Sequence, residues 1–562
     1  MSADQSTKAG ALVVASTKGN PQVRRLPSLV LQAQRILGRI PVAVVAVVVG
    51  LVTFLVHGYR LGIAPDIFSD EGSYLIVGTN VARGIGLVEN GSVFMWHSPA
   101  YMLVEAAYIK LVGLTNAEPL AALLSVRYLN IFFSAITAVL LMLFVRKLHS
   151  YKAGLIAVAL FLMDPYVQRI NRRGMLETLA MLFVLLGLYM FFTHRPHLTK
   201  WQRLGSGTAF GLAMLAKEPM FLELVALMVY GAWFRRGKPR DVAWVAAIAC
   251  VVYLPYPVWA VAVGQENNYL SYKVLGIARI IASITNRLPA SPHLMPASST
   301  VPIVDTLWTR LTQYGMSYLL IALAAIFTVV LILRFRHLAA ARYLITWSIF
   351  SFVFGLILGN VSDQYFYYLI VPSTIVVGFV LASLFETVLR SSLSETPVIL
   401  NQRRPAFSST VIRMMWRPIF AVFFVILLYN GVVWMKTYAI GSDDAYINII
   451  NYVRTHIPSG TTIVTSDDVA LYFLSPSYDI RLDRDTKMIM DLHERYFIMS
   501  SKDAWGMYDA TTPQFYDWVI HNSHPLFEQD DPSFWQLGVY QLNWETSNAA
   551  RQVRVDSLDR RV

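Results

Sequence analysis

The chain has 562 residues, 56% of them hydrophobic and only 15% charged, with a formal net charge of +12. Soluble domains carry about a quarter charged residues, so an ordinary water-soluble fold is excluded and lipid becomes the expected solvent. The single cysteine, Cys250, excludes a disulfide framework, cysteine-rich zinc sites and thiol redox pairs.

Residues 1–40 are polar and basic, carry no cleavage-site pattern, and read as a flexible cytoplasmic tail. Beyond them come apolar runs such as Pro41–Tyr59, Met181–Phe192 and Phe420–Leu428, which have no polar helical face. A bilayer core needs about 20 apolar residues per helix. Spans are predicted at about 41–58, 121–145, 153–168, 176–193, 204–219, 219–234, 241–263, 314–333, 342–359, 364–388 and 417–437.

Lysine and arginine gather between these runs, for example at Arg146, Lys147 and Lys152, at Arg235, Arg236, Lys238 and Arg240, and at Arg334, Arg336 and Arg342. A nucleic-acid surface would also be basic. Brackets of positive charge around apolar spans instead follow the positive-inside rule, and no nucleic-acid partner is expected. Placing each bracket in the cytoplasm gives about eleven crossings, with the N-terminus inside and residues 439–562 outside.

His97–Val112 is apolar but does not fit as a crossing, because counting it would turn every later basic bracket outward. It is predicted to be an interfacial or re-entrant helix, with Lys110 snorkelling to the headgroups. The predicted fold class is an all-α polytopic membrane protein of about 11 transmembrane helices with juxtamembrane helices in the first outer loop, plus a small C-terminal α/β soluble domain. The expected divisions are the tail at 1–40, a transmembrane unit at 41–438 with outer loops at 59–120 and 264–313, and an extracytoplasmic domain at 439–562. In that domain a helical pattern covers Ala445–His456, a turn follows at Pro458-Ser459-Gly460, and Thr461–Thr465 reads as a strand.

Polar residues at the membrane edge are costly and often functional. Three clusters fall on the outer side of this topology: Ser69-Asp70-Glu71-Gly72-Ser73-Tyr74, Trp96-His97-Ser98-Pro99-Ala100-Tyr101, and Gln168 to Thr178 with Arg169, Arg172, Arg173 and Glu177. Lys217-Glu218-Pro219 adds a fourth charged turn. An Asp-Glu pair also serves as a helix cap, and a Lys-Glu pair also serves structure. The outward arginines run against the positive-inside trend and need a partner: a phosphate, Glu177 or the acidic first loop. Carboxylates beside guanidinium and ammonium groups suit a reaction between a lipid phosphate and a hydroxyl. The cations hold the phosphate and a carboxylate takes the hydroxyl proton.

At these residues the sequence resembles the GT-C superfamily of polyprenyl-phosphate-sugar-dependent glycosyltransferases, in the branch of the protein O-mannosyltransferases and lipid A aminoarabinose transferases. The resemblance rests on the Asp70-Glu71 pair in the first outer loop and on His97-Ser98-Pro99-Ala100-Tyr101 opening a juxtamembrane helix. It also rests on Glu177 after Arg172-Arg173, and on Gly211–Leu222, which is similar to the family's G-L-A-x-L-x-K element. The family's second proline is replaced by Ala100, and His97 stands where the aminoarabinose branch carries lysine.

The resemblance implies a catalytic role for Asp70, Glu71 and Glu177, with Asp70 as base. It implies donor-phosphate binding by Arg172, Arg173, Lys217 and His97, and substrate positioning by Tyr74, Tyr101 and Glu218. The implied partners are a polyprenyl-phosphate sugar, the bilayer, and an acceptor protein, glycan or glycolipid. No cofactor is implied with certainty and no metal ligand set is assigned, though the carboxylates could hold a divalent cation. The alternative reading is a multi-pass transporter or lipid-linked-sugar flippase. Against it, no internal repeat relates the two halves of the chain.

Overall fold

The computed structural model describes residues 40–193, 197–233, 239–274, 303–358, 363–393, 409–466, 468–482, 489, 493–501, 513–531 and 535–542. The predicted tail and most of the predicted 264–313 loop lie outside the described residues.

Among the described residues the apolar part of the chain is helical, with short helices at its polar edge. Helix α1 (Val42–Gly58) leads into α2 (Ser69–Ala82), a two-stranded hairpin of β1 (Val88–Glu89) and β2 (Ser92–Val93), and α3 (Ala100–Leu111). Then come α4 (Pro119–Leu148), α5 (Tyr151–Met163), α6 (Pro165–Asn171), α7 (Leu176–Phe191), α8 (Lys200–Ala216), α9 (Phe221–Trp233), α10 (Pro239–Tyr253) and α11 (Pro255–Ala262). The last apolar helices are α12 (Ile303–Val330), α13 (Ala339–Leu358), α14 (Tyr367–Leu393) and α15 (Ser409–Trp434).

Among the described residues, five helical stretches are long and apolar enough to cross a membrane: Pro119–Leu148, Pro239–Ala262, Met316–Phe335, Tyr367–Glu386 and Pro418–His456. The shorter α1, α7 and α13 are also apolar. Outward faces carry exposed Val47, Leu51 and Leu55 on α1 and Phe424, Leu428 and Val432 on α15. Extended exposed apolar faces mark contact with a membrane or a partner, and with these long apolar helices they point to lipid. The chain is a multi-pass membrane protein.

The stretch predicted as a span at 153–168 is built of two helices bent by 71°. Pro165 has no N–H to continue α5, and the Asp164 carboxylate restarts the helix by accepting from the amides of Tyr166 and Val167, each at 3.0 Å. The stretch predicted to lie at the interface forms α3, only 12 residues long. At 1.5 Å per residue it reaches about 18 Å, well short of a hydrocarbon core of about 30 Å. It packs along α2 and the start of α4.

The C-terminal part begins with α16 (Ala445–His456), followed by β3 (Thr462–Thr465), α17 (Asp468–Leu474), β4 (Asp479–Arg481), β5 (Tyr496–Ser500), α18 (Pro513–Asn522), β6 (Ser523–Asp531) and β7 (Trp535–Leu542). The five strands form one sheet in the order β4-β3-β5-β7-β6. β3 runs parallel to β4 and β5, whereas β7 is antiparallel to β5 and β6.

This part shares a core with the first loop. Ile67, Leu75, Leu123 and Val126 pack with Tyr446, Ile450, Phe473 and Leu474. Tyr472 lies directly on α2 at Gly72, where an added Cβ would stand 2.6 Å from its ring. Only glycine allows that approach. Buried Asp66 completes the junction, accepting from the amides of Ile67 at 2.8 Å and Tyr446 at 2.7 Å.

Asp66→Ala removes the acceptor for the Tyr446 amide at the start of α16. Stranding a buried donor costs about 1–3 kcal/mol. The variant is expected to unfold at a lower temperature in detergent, with faster proteolysis between residues 434 and 445. An unchanged melting curve and digestion rate would contradict this account of the junction.

Candidate active site

Asp70 and Glu71 occupy the first turn of α2 and take opposite roles. Glu71 is buried and fully engaged. Its Oε1 accepts from the Phe68 amide at 2.9 Å, and its Oε2 accepts from the Gly174 amide at 3.0 Å. Both oxygens also accept from Arg127 of α4, at 2.5 and 3.1 Å. Arg127 is itself buried and donates to the carbonyls of Pro65 at 2.8 Å and Asp66 at 3.2 Å. Glu71 thus caps its helix and ties α2 to α4 and to the loop after α6.

Asp70 points elsewhere and is only partly buried. Its Oδ2 accepts from the Tyr74 hydroxyl at 3.3 Å and from the side-chain amide of Gln364. Gln364 sits in a short turn, Asp363–Phe366, that leads into α14. Its other end accepts from the Lys217 ammonium at 2.9 Å. Lys217, buried at the end of α8, also pairs with Glu177 in the first turn of α7. The remaining Glu177 oxygen, Oε2, and the Tyr101 hydroxyl have no hydrogen-bond partner among the described residues.

The fold therefore joins Asp70, Gln364, Lys217 and Glu177 in one hydrogen-bonded line, drawn from four parts of the chain. Tyr74 and Tyr101 flank it, their rings edge to face at 6.1 Å. His97 packs edge-on against Tyr74 with 5.7 Å between centroids. Its desolvated surroundings, and then the Lys217 and Lys273 ammonium groups, hold its imidazole well below the ordinary value. His97 is thus a neutral polar group in the site. Lys273, not singled out by the sequence, pairs with Glu218 and lies over the ring of Tyr269 at 5.2 Å.

Arg172 and Arg173, expected from the resemblance to hold a phosphate, face backbone carbonyls in the structure. All three guanidinium nitrogens of Arg172 donate to carbonyls: Nε and Nη2 to Ala64, Nη1 to Val56 and His57, and Nη2 also to Tyr59. These carbonyls lie at and just beyond the C-terminal end of α1, where helical carbonyls lack internal partners and cations are favoured. Arg173 donates twice to the carbonyl of Asp66, at 3.0 and 2.7 Å. Their burial, first, pulls both guanidinium groups down, that of Arg172 to about 10. Their carbonyl partners explain why these arginines stand outside the basic brackets.

Besides Gln364, sequence reasoning missed the buried Arg127, Asn130 and Glu105. Arg127 lies in an apolar helix, and an arginine there marks a buried partner. Asn130, one turn further along α4, donates to the Arg173 carbonyl at 2.5 Å and the Thr178 hydroxyl at 3.0 Å, bracing the loop that carries Glu177. Glu105 of α3 is buried beside Gly78, and its carboxyl is pushed well above the ordinary range by burial and by Glu71. Among the described residues, no group of three or more His, Cys, Asp and Glu side chains is arranged to hold a metal ion.

With this geometry, comparison with known proteins decides the fold. Residues 120–259 match the family described as dolichyl-phosphate-mannose-protein mannosyltransferase. The archaeal oligosaccharyltransferase AglB from Archaeoglobus fulgidus, solved with an inhibitory peptide and a dolichol-phosphate, superimposes with a TM-score of 0.54 at 11% identity, covering 89% of this chain and 74% of its own. ArnT from Cupriavidus metallidurans, solved bound to undecaprenyl phosphate, superimposes with a TM-score of 0.51 at 15% identity, covering 89% of this chain and 97% of its own. The chain has the GT-C glycosyltransferase fold. No curated protein matches its sequence.

The neutral His97 has a consequence for stability. Below pH about 6.5 an exposed imidazole is protonated. The unfolded chain then binds a proton that the folded ring refuses, so stability falls as pH drops through that value. Histidine-to-asparagine replacement at position 97 is expected to flatten the melting temperature between pH 7 and 5 relative to the parent. Parallel profiles for the two proteins would show that His97 does not titrate in this way.

Proposed function

We propose that this chain is a membrane glycosyltransferase that moves a sugar from a polyprenyl-phosphate-linked donor to an acceptor hydroxyl on the outer face of the membrane. One observation carries the proposal: a partly exposed carboxylate, Asp70, is hydrogen-bonded through Gln364 to a buried ammonium, Lys217, at the polar edge of a GT-C fold. The lipid phosphates bound to AglB and ArnT support the donor class.

In this reading the acceptor oxygen attacks the anomeric carbon of the donor. A new carbon–oxygen bond forms as the bond to the donor phosphate breaks. The acceptor proton passes to Asp70, and the bonding electron pair leaves on the polyprenyl phosphate. Lys217, with Lys273 near His97, stabilises the charge that develops on that phosphate. A phosphate leaving group needs no proton to depart, so one base and a cationic clamp are sufficient. Glu177 orients Lys217, while Tyr74 and Tyr101 shape the sugar side.

Glu71, Arg172 and Arg173 are assigned to scaffold, because their hydrogen-bonding capacity is directed at the protein itself. The proposed topology keeps the eleven crossings, the inward N-terminus and the outward C-terminal domain. The gathering of residues from the first loop, the α6–α7 loop and the α8–α9 turn at one end of the helices supports that parity.

Asp70→Asn keeps the shape of the side chain but removes its basicity. Turnover with a polyprenyl-phosphate sugar is expected to fall at least about 100-fold, with the donor KM little changed. Full activity in the purified variant would remove Asp70 as the base.

A further inference from the structure

Gln364 is absent from every charged cluster of the sequence, yet it occupies the centre of the site. Its amide orientation follows from its neighbours. An ionised carboxylate only accepts hydrogen bonds and an ammonium only donates them. The Nε2 end must therefore face Asp70 and the Oε1 end must face Lys217, as observed. A glutamate in this place would set a second anion against Asp70. A leucine would serve neither neighbour, and an asparagine would be one methylene too short to reach both.

The turn that holds Gln364 is itself anchored. Gln364 is 7% exposed, and Phe366, Tyr367 and Tyr368 are buried as well. Phe366 packs edge-on against Tyr318 and Tyr166, at 5.5 and 6.4 Å between centroids. The Tyr367 hydroxyl donates to Asn171 Oδ1 at 2.9 Å. Asn171 Oδ1 also accepts from Thr178 at 2.8 Å, one residue after Glu177. The backbone of the turn is thus tied to the loop that presents Glu177, and the amide has little freedom to swing away.

We propose that Gln364 is a positioning residue that holds the Asp70 carboxylate and the Lys217 ammonium in a fixed mutual arrangement across the bond to be broken. The inference rests on the glycosyl-transfer reading above and adds to it the element that couples base to cation. By donating to the ionised form, the amide keeps Asp70 a competent base. By accepting from Lys217, it directs the remaining ammonium protons. Fixing both groups before the donor arrives contributes through orientation, where small displacements cost large factors in rate.

Other charges bear on the titration of Asp70. Tyr74 faces it from the same helix, and Glu89 of the hairpin lies close enough to interact with it electrostatically. Lys217 and Glu177 stand beyond Gln364. Glu71 is turned toward Arg127, and Tyr472 and Ser73 donate to Glu89. A carboxylate introduced at position 364 would be nearer to Asp70 than Glu89's environment allows that residue to come, because it replaces a direct hydrogen-bond donor.

The test compares full-length parent, Gln364→Glu and Gln364→Leu in nanodiscs, using a panel of polyprenyl-phosphate sugars with mass-spectrometric detection of products across pH 5–9. Gln364→Glu preserves volume and shape and is the deciding variant. Its acidic limb of kcat is expected to move up by about one pH unit or more, since one of two adjacent carboxylates retains a proton. Gln364→Leu is expected to lower kcat about 10- to 100-fold without moving the acidic limb upward, and to raise the donor KM.

A purely structural glutamine would change yield and melting temperature while leaving the acidic limb in place. A Gln364→Glu profile superimposed on that of the parent therefore overturns the inference. If Asp70→Asn is inactive and the Gln364 variants behave like the parent, this inference alone fails. If Asp70→Asn is fully active, the glycosyl-transfer reading of Asp70 fails and takes the inference with it.

Discussion

The arrangement of the site depends on one buried ion pair, Glu71 with Arg127. Removing one partner of such a pair strands a charge in the interior and typically costs about 3–5 kcal/mol. Here the pair does more than neutralise itself. Glu71 also accepts from the Phe68 amide at the start of α2 and the Gly174 amide beyond α6, and Arg127 also grips the carbonyls before α2. Helix α2, helix α4 and the α6–α7 loop therefore meet at one carboxylate. The adjacent residue, Asp70, is turned away from that knot and into the site because Glu71 is held within it.

Around this knot the protein sorts its charges by burial. The most enclosed guanidinium groups, those of Arg127, Arg172 and Arg173, are satisfied by Glu71 and by carbonyls of the first loop. Lys217 is satisfied by Glu177 and Gln364. Asp70, less buried than these, is met by neutral donors, Tyr74 and Gln364. Donors that favour the ionised form suit a group that must accept a proton. The C-terminal part contributes through α17, which sets Tyr472 on Gly72 and its hydroxyl on Glu89.

Much of this was legible in the sequence. Helix α16 begins and ends where its amphipathic pattern does, β3 follows the predicted turn, and the short helix expected within His97–Val112 is the 12-residue α3. Asp70, Glu177 and Lys217 were recognisable because charges beside apolar helices need partners, and the fold brings these three into one line. The arginines illustrate the limit. A guanidinium next to a carboxylate in sequence space looks the same whether it faces a phosphate or a helix end, and only the fold brings the α1 carbonyls to Arg172. Gln364 and Asn130 were invisible for a different reason: neutral amides carry no pattern of charge or period, and their value lies wholly in what the fold sets on either side. The bend at Asp164-Pro165 was readable from proline and a capping aspartate, but an apolar run on both sides masked it.

The central claim is that the line from Asp70 to Lys217 transfers a sugar rather than moves a lipid. Reconstitution of the purified chain in sealed liposomes, with a polyprenyl-phosphate sugar and candidate acceptors, separates the two directly. The account predicts a glycosylated acceptor and an equal amount of free polyprenyl phosphate. Movement of intact donor across the bilayer with no glycosylated product would contradict it.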